Sequence, residues 1–252
     1  MWHIWKMGKL KMQNQKNRDK VKETEILKVI FEDNHIIVVE KKPNIPSQSD
    51  KTGDTDMLTL VKLYIKEKYK KPGNVYLGLV HRLDRPVGGI MIFAKTSKAA
   101  SRLSNQVREK VFKKKYLAVV DGRFDKKSGT LEDYLYKDER NNISKVVNKE
   151  KKNSKYAKLD YKELAFNEVK KLSLLEINLH TGRHHQIRVQ LSNAGHSIFG
   201  DQKYGKRGNG KQIALWAYEL TIEHPITKEQ MTFKDLPEPI GTWCILKEVA
   251  KR

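Results

Sequence analysis

The stretch LVHRLDRPVGGIMIFAK, residues 79–95, constrains the fold more than any other part of the chain. Two segments that read as buried strand flank a charged turn, where one carboxylate, Asp84, stands among His81, Arg82 and Arg85. Pro86, Gly88 and Gly89 shape the exit from that turn. Sheet therefore has to lie on both sides of a tight, charged connection. Taken alone, Asp84 has two readings. An aspartate between arginines can be a turn cap or a structural ion pair. It can also be a nucleophilic or basic carboxylate, kept ionised by a guanidinium in a dry setting. The local pattern does not choose between them.

The rest of the chain alternates short strands with single helices. Ile26–Phe31 and Ile36–Val39 are apolar runs joined by Asp33-Asn34, the pattern of a hairpin. Leu60, Leu63, Tyr64 and Tyr69 have helical spacing ahead of a Lys-Pro-Gly stop. Thr96 or Ser97 can cap a helix with Ala99, Leu103 and Val107 on one face. KKKYLAVVDGRF and KLSLLEINLHTG read as strands, and the polar, lysine-rich residues 137–158 as an exposed hairpin or loop. RHHQIRVQLSNAG places Ile187, Leu191 and Ala194 on one helical face and closes with Gly195. No repeat of βαβ length occurs, so the pattern predicts an α+β fold with a mixed sheet. Residues 26–252 are expected to form one domain, preceded by a disordered basic tail over residues 1–25.

Fifty-one Lys and Arg against thirty Asp and Glu give a net charge of +21, which suits a polyanionic partner such as RNA. The same surplus can also serve solubility, so charge alone does not settle the partner. No apolar run is long enough to span a membrane. The single cysteine, Cys244, rules out an internal disulfide and fits a reducing cytoplasm.

Two further blocks carry chemistry. LHTGRHHQIRVQLSNAGHSIFGDQKYG, residues 179–205, runs from strand through a Thr-Gly turn into a helix. His180, His184 and His185 invite a metal reading, but no acid or cysteine stands at ligand spacing, and Arg183 and Arg188 would repel a cation. Binding of a phosphate or carboxylate by those arginines fits better than a metal, and a structural histidine cluster is the plain alternative. The other block, KKKYLAVVDG, leads a basic run into a strand at Tyr116. It offers phosphate contacts, Lys115 among them, beside an aromatic face, unless Tyr116 is simply core.

HRLDRPVGGIMIFAK, KKKYLAVVDG and TGRHHQIRVQLSNAGHSIFGDQKYG occur in the order and spacing of the RluA-type pseudouridine synthases. The EDNHIIVVEKKP opening and the HPITKEQMTFKDLPE ending resemble that family too, so the likeness covers roughly residues 26–240. It implies a mainly antiparallel mixed sheet with flanking helices around a central catalytic cleft. The implied reaction isomerises a uridine in ribosomal or transfer RNA, with no cofactor and no metal. Apart from the resemblance, a cytoplasmic monomer is the default expectation. By the same resemblance Asp84 is the catalytic aspartate, Tyr116 packs on the base and Arg188 pairs with the aspartate. Arg82 fills the gap left by the flipped uridine, and His81, Arg85, Lys115, Arg183, His185 and Gln186 contact RNA. The alternative is an RNA-binding assembly factor on the same scaffold that no longer catalyses. In two respects the chain departs from many relatives. Pro86-Val87-Gly88 stands where they carry Thr-Ser-Gly, and the 25 residues before the domain are too few for their S4 RNA-binding domain.

Overall fold

In the computed structural model, which describes residues 27–205, 210 and 212–249, β1 (Val29–Glu32) and β2 (Ile36–Lys41) pair as the expected antiparallel hairpin. Asp33 Oδ1 fixes the turn by accepting from the backbone N–H groups of His35 and Ile36, both at 2.7 Å. The expected basic tail lies outside the described residues.

After α1 (Met57–Lys68) and the two-residue β3 (Gly78–Leu79) comes β4 (Gly88–Ala94), which pairs antiparallel with β2. Alternation divides these two strands between two apolar clusters. Ile37, Val39, Met91 and Phe93 join Met57, Leu60, Val61 and Ile65 of α1. Ile36, Val38, Ile90 and Ile92 join Ala99 and Leu103 of α2 (Ser97–Arg108). Every residue of β4 is buried as a result. Side-chain caps start both helices: Asp56 accepts from the Thr59 N–H at 3.1 Å, and Thr96 from that of Ala99 at 3.2 Å.

The remaining strands are β5 (Lys113–Asp121), β6 (Ser128–Asp138), β7 (Ile143–Val147), β8 (Lys155–Asn167), β9 (Leu172–Leu179), β10 (Leu215–Glu223) and β11 (Gln230–Lys234). α3 (Gln186–Asn193) follows β9, and α4 (Leu246–Val249) ends the described chain. All eleven strands form one sheet, in the order β1-β2-β4-β10-β5-β9-β8-β6-β7, with β3 on β4 and β11 on β10. The architecture is α+β, with a mixed and mainly antiparallel sheet. Its parallel contact is short, Trp216 on Gly88 and Ala217 on Gly89. Glycine is required there, because a Cβ on Gly88 would overlap the Trp216 ring and one on Gly89, at φ 121°, would overlap the Ala217 backbone. The two strands meet where the chain leaves the Asp84 turn. No helix among the described residues is long and apolar enough to cross a membrane.

Residues 137–158 contain the expected exposed hairpin: the end of β6 turns back into β7, which pairs with it antiparallel, and the start of β8 follows, with Ser144 in β7 covered at 2% exposure. One expectation is corrected. α3 is not one-faced, since Gln186 through Leu191 are all buried. Ile187 and Leu191 enter the main core, while Val189 packs on Leu135 and Ala157 of the β6–β8 arm. Gln190 donates to Asp133 of β6 at 2.7 Å. The arm covers the polar face that would otherwise meet water.

Candidate active site

Asp84 sits in the connection between β3 and β4, and residues 41–47 hold that connection in place. Ser47 donates its hydroxyl to the Leu83 carbonyl at 2.7 Å and accepts the Leu83 N–H at 3.1 Å. The Asn44 N–H donates to the Arg85 carbonyl at 2.8 Å. Beneath them lies Lys41, 0% exposed, whose Nζ donates to the carbonyls of Lys42 (3.2 Å), Arg85 (2.9 Å) and Val87 (2.6 Å). Burial pulls its ammonium down to about 7, while the charge of Asp84 opposes that pull. Three carbonyls, one for each N–H, favour the ammonium as well.

The first turn of α3 supplies the other half. Arg188 donates from Nε and Nη2 to Asp201 at 2.8 and 2.7 Å, and from Nη1 to Asp84 Oδ2 at 3.2 Å. Asp201 also accepts the N–H groups of Lys203 (2.9 Å) and Tyr204 (3.2 Å). Burial works to raise its carboxyl, but the Arg188 guanidinium outweighs it and holds the group below the usual range. Asp201 thus fixes the guanidinium, and the remaining nitrogen faces Asp84. His185 is buried beside them with Nε2 3.6 Å from Asp84 Oδ2. Neither Arg188 nor His185 touches Oδ1, and no donor among the described residues does.

Tyr116, on β5, is 7% exposed, and its hydroxyl has no hydrogen-bond partner among the described residues. Burial and then the charge of Asp84 push its phenol well above the ordinary value. The site therefore offers an aspartate with one open oxygen beside a neutral phenol.

The residues expected to contact RNA divide. Arg82 is exposed, with no ion-pair partner among the described residues. Arg183 is exposed as well, with Nε donating to the Tyr156 carbonyl at 2.8 Å. Arg85 is turned aside by Asp54 and Thr52. His81 Nε2 accepts the Ile92 N–H at 3.2 Å and burial drives its ring down to about 3, so it braces β4. Gln186 is 3% exposed: Oε1 accepts from Thr181 (2.8 Å) and the Arg183 N–H (3.0 Å), and Nε2 donates to the Lys158 carbonyl (3.1 Å). Lys115 points away from Tyr116, toward Glu219 at 3.2 Å and Glu176 at 3.9 Å. Lys114 shares the Tyr116 face, because alternate residues of a strand do. It is desolvated, which lowers its ammonium, and it has no carboxylate partner among the described residues.

His180 bonds Asp160 at 2.5 Å, away from the stacked pair His184–His185. Among the described residues no group of three or more His, Cys, Asp or Glu is placed to hold a metal ion. Sequence reasoning passed over Lys41, Ser47, Lys114, Ser144, Asp201 and Tyr204. Asp201 and Tyr204 stand inside the quoted GDQKYG, and Lys114 could have been found from its two-residue spacing to Tyr116. The others left no signal.

A family model described as RNA pseudouridylate synthase matches residues 35–193. An uncharacterized RNA pseudouridine synthase of Bacillus subtilis is 34% identical over 207 residues, 81% of this chain and 66% of that protein. One from Aquifex aeolicus is 31% identical over 84% of this chain and 70% of its own length. The ribosomal large subunit pseudouridine synthase C of Buchnera aphidicola is 36% identical over 71% of this chain and 54% of its own length. Among solved structures, the human RNA pseudouridylate synthase domain containing 4 shares the fold with a TM-score of 0.75 at 18% identity, covering 93% of this chain and 98% of that one. The chain spans about two thirds of the length of the first two curated relatives.

Proposed function

The chain belongs to the RNA pseudouridylate synthase family, and from that premise we propose that it isomerises a uridine within structured RNA through Asp84. The reaction breaks the bond from N1 to C1′, turns the base and forms a bond from C5 to C1′. C5 loses a proton and N1 carries one in the product, so nothing is oxidised and no group is gained or lost. A side chain that acts on the sugar or base and a phenol near C5 meet that need.

The observation that carries the reading is the open oxygen of Asp84. Arg188 binds Oδ2 and is itself held by Asp201, so the carboxylate is aimed with Oδ1 left for the substrate. Uridine has to leave its stack to reach this point. In this reading Arg82 fills the vacated space, while Lys114 and Arg183 hold phosphates. Tyr116 packs on the base and assists proton loss from C5. The +21 charge draws in the polyanion. The substrate is ribosomal or transfer RNA, with the name of the Buchnera relative favouring the large ribosomal RNA. The enzyme works as a monomer in the cytoplasm.

Total RNA from cells lacking the gene, labelled with tritium at C5 of uridine, is the test. The protein is expected to release tritium and form pseudouridine at a mappable position, and Asp84→Asn to release none. RNA binding without release would make the protein an assembly factor instead.

A further inference from the structure

The hydrogen bonds behind Asp84 run in one direction. Ser144, on β7, donates its backbone N–H to Tyr204 Oη at 2.6 Å, and Tyr204 Oη lies 2.8 Å from His185 Nδ1. Among the described residues Tyr204 Oη has these two hydrogen-bond partners. The phenol proton therefore has His185 Nδ1 as its acceptor. A neutral imidazole that accepts at Nδ1 carries its proton on Nε2. That nitrogen is the one 3.6 Å from Asp84 Oδ2. The other tautomer would leave the phenol proton without an acceptor and aim a lone pair at a carboxylate. Burial keeps the ring neutral at physiological pH, holding its pKa down at about 3.

The turn that presents the ring is held as well. His185 has φ 52°, a left-handed conformation costly for a side chain with a Cβ. Ser144 clasps it by donating its hydroxyl to the His184 carbonyl at 2.7 Å, and the His184 ring lies 3.0 Å from the same hydroxyl. The two rings stack with centroids 3.7 Å apart. One residue of the arm thus secures both the turn and the tautomer.

We infer that His185 is a positioning residue for Asp84, its tautomer set by Ser144 and Tyr204 so that Nε2–H and Arg188 Nη1 both address Oδ2 and Oδ1 is left to meet the substrate. This rests on the reading of the site as a uridine isomerase. At 3.6 Å the N–H stands just outside hydrogen-bond length, and it closes on Oδ2 when RNA orders the site. His185 acts on the carboxylate and not on RNA, because its Nε2 is turned to Asp84 and its Nδ1 to Tyr204.

Nitrogen-15 NMR of the histidine-labelled full chain at pH 7, without RNA, reads the tautomer directly. The His185 signals, assigned by their loss in His185→Gln, are expected to show a protonated Nε2 and a bare Nδ1. Tyr204→Phe is expected to mix the tautomers and lower kcat about tenfold at unchanged KM, the worth of one hydrogen bond. His185→Gln carries an N–H of similar reach and is expected to keep kcat within about threefold, whereas His185→Leu loses about a hundredfold. The rates are compared at a temperature where each variant is folded. A ring protonated at Nδ1 or at both nitrogens overturns the inference. So do equal rates for His185→Gln and His185→Leu, or a wild-type kcat in Tyr204→Phe. If Tyr204→Phe does not fold, the wild-type spectrum and the two His185 variants decide. Because the tautomer is read without substrate, a protein that shows it yet modifies no RNA refutes the isomerase reading and leaves the geometry standing.

Discussion

Glu32, at the end of β1, and Asp84, after β3, are both carboxylates set among basic residues, yet they are used to different extents. Glu32 accepts from Tyr69 (2.9 Å) and Lys95 (2.7 Å) on one oxygen, and from Lys68 (2.7 Å) and Tyr64 (3.1 Å) on the other. Its side chain is 6% exposed. The Asp84 side chain has one hydrogen bond among the described residues, to Oδ2, and is 29% exposed. Asp201, across the Arg188 guanidinium from Asp84, resembles Glu32: four donors reach it from the described residues and its side chain is 0% exposed. A carboxylate offers about four acceptor sites. Where all are filled the group ties elements together and is chemically spent. Asp84 is held firmly enough to be aimed and loosely enough to react.

Exchanging each acid for its amide breaks this comparison at its strongest point. Asp201→Asn leaves the Arg188 guanidinium buried against a neutral partner and is expected to cost about 3–5 kcal/mol in urea unfolding. Asp84→Asn, which should abolish tritium release, gives up one partly exposed bond and should stay within about 1 kcal/mol of wild type. Equal losses would mean that the open carboxylate is as structural as the saturated one.

Glu32→Gln sharpens the comparison through pH. Burial works to raise the Glu32 carboxyl, but Lys68, Lys95 and Tyr69 outweigh it and hold it at about 2, against an ordinary 4.5. A carboxyl with a depressed folded pKa contributes stability above its unfolded value and loses it as pH falls toward the folded one. The variant is expected to be about 1–3 kcal/mol less stable at pH 7. That gap should narrow steadily between pH 4.5 and 2. Catalysis per folded molecule should not change. A gap that persists undiminished at pH 2 would show that ionisation of Glu32 is not what matters.

The smallest effect separates two adjacent lysines. Lys114→Ala is expected to raise KM roughly three- to tenfold and to reduce the slope of binding against salt by about 1, as the loss of one phosphate contact does. Lys115→Ala removes a half-exposed pair with Glu219 and should change KM by less than about twofold. The reverse order, read by titration of RNA at several salt concentrations, would place the phosphates on the other face of β5.

Much of the frame was legible in the residues. The Asp33-Asn34 turn, the Thr96 cap and the Gly195 stop, at φ 86°, act locally, and local chemistry is what a sequence shows. α3 was legible as a helix and illegible as a buried one. Gln190 reads as solvent-facing until the β6–β8 arm lies over it. The arm itself, rich in lysine, reads as an exposed hairpin or loop, and nothing local announces that Ser144 will be covered. Lys41 was equally hidden, since a lysine is almost never buried unless partners fixed elsewhere in the chain satisfy it.

By itself the sequence determined the opening hairpin, the helices α1 to α3, the strands β5 and β9, the glycine exit from the Asp84 turn, the cation surplus and the three blocks that mark the family. The resemblance pairs Asp84 with Arg188, 104 residues away, but only the tertiary structure decided that Asp201 already holds that arginine. It also decided that Lys114, rather than Lys115, shares the Tyr116 face without a carboxylate partner among the described residues. The reason is physical. Residue types and spacing specify which groups can donate or accept, but which lone pairs stay unfilled depends on every neighbour the folded chain brings near.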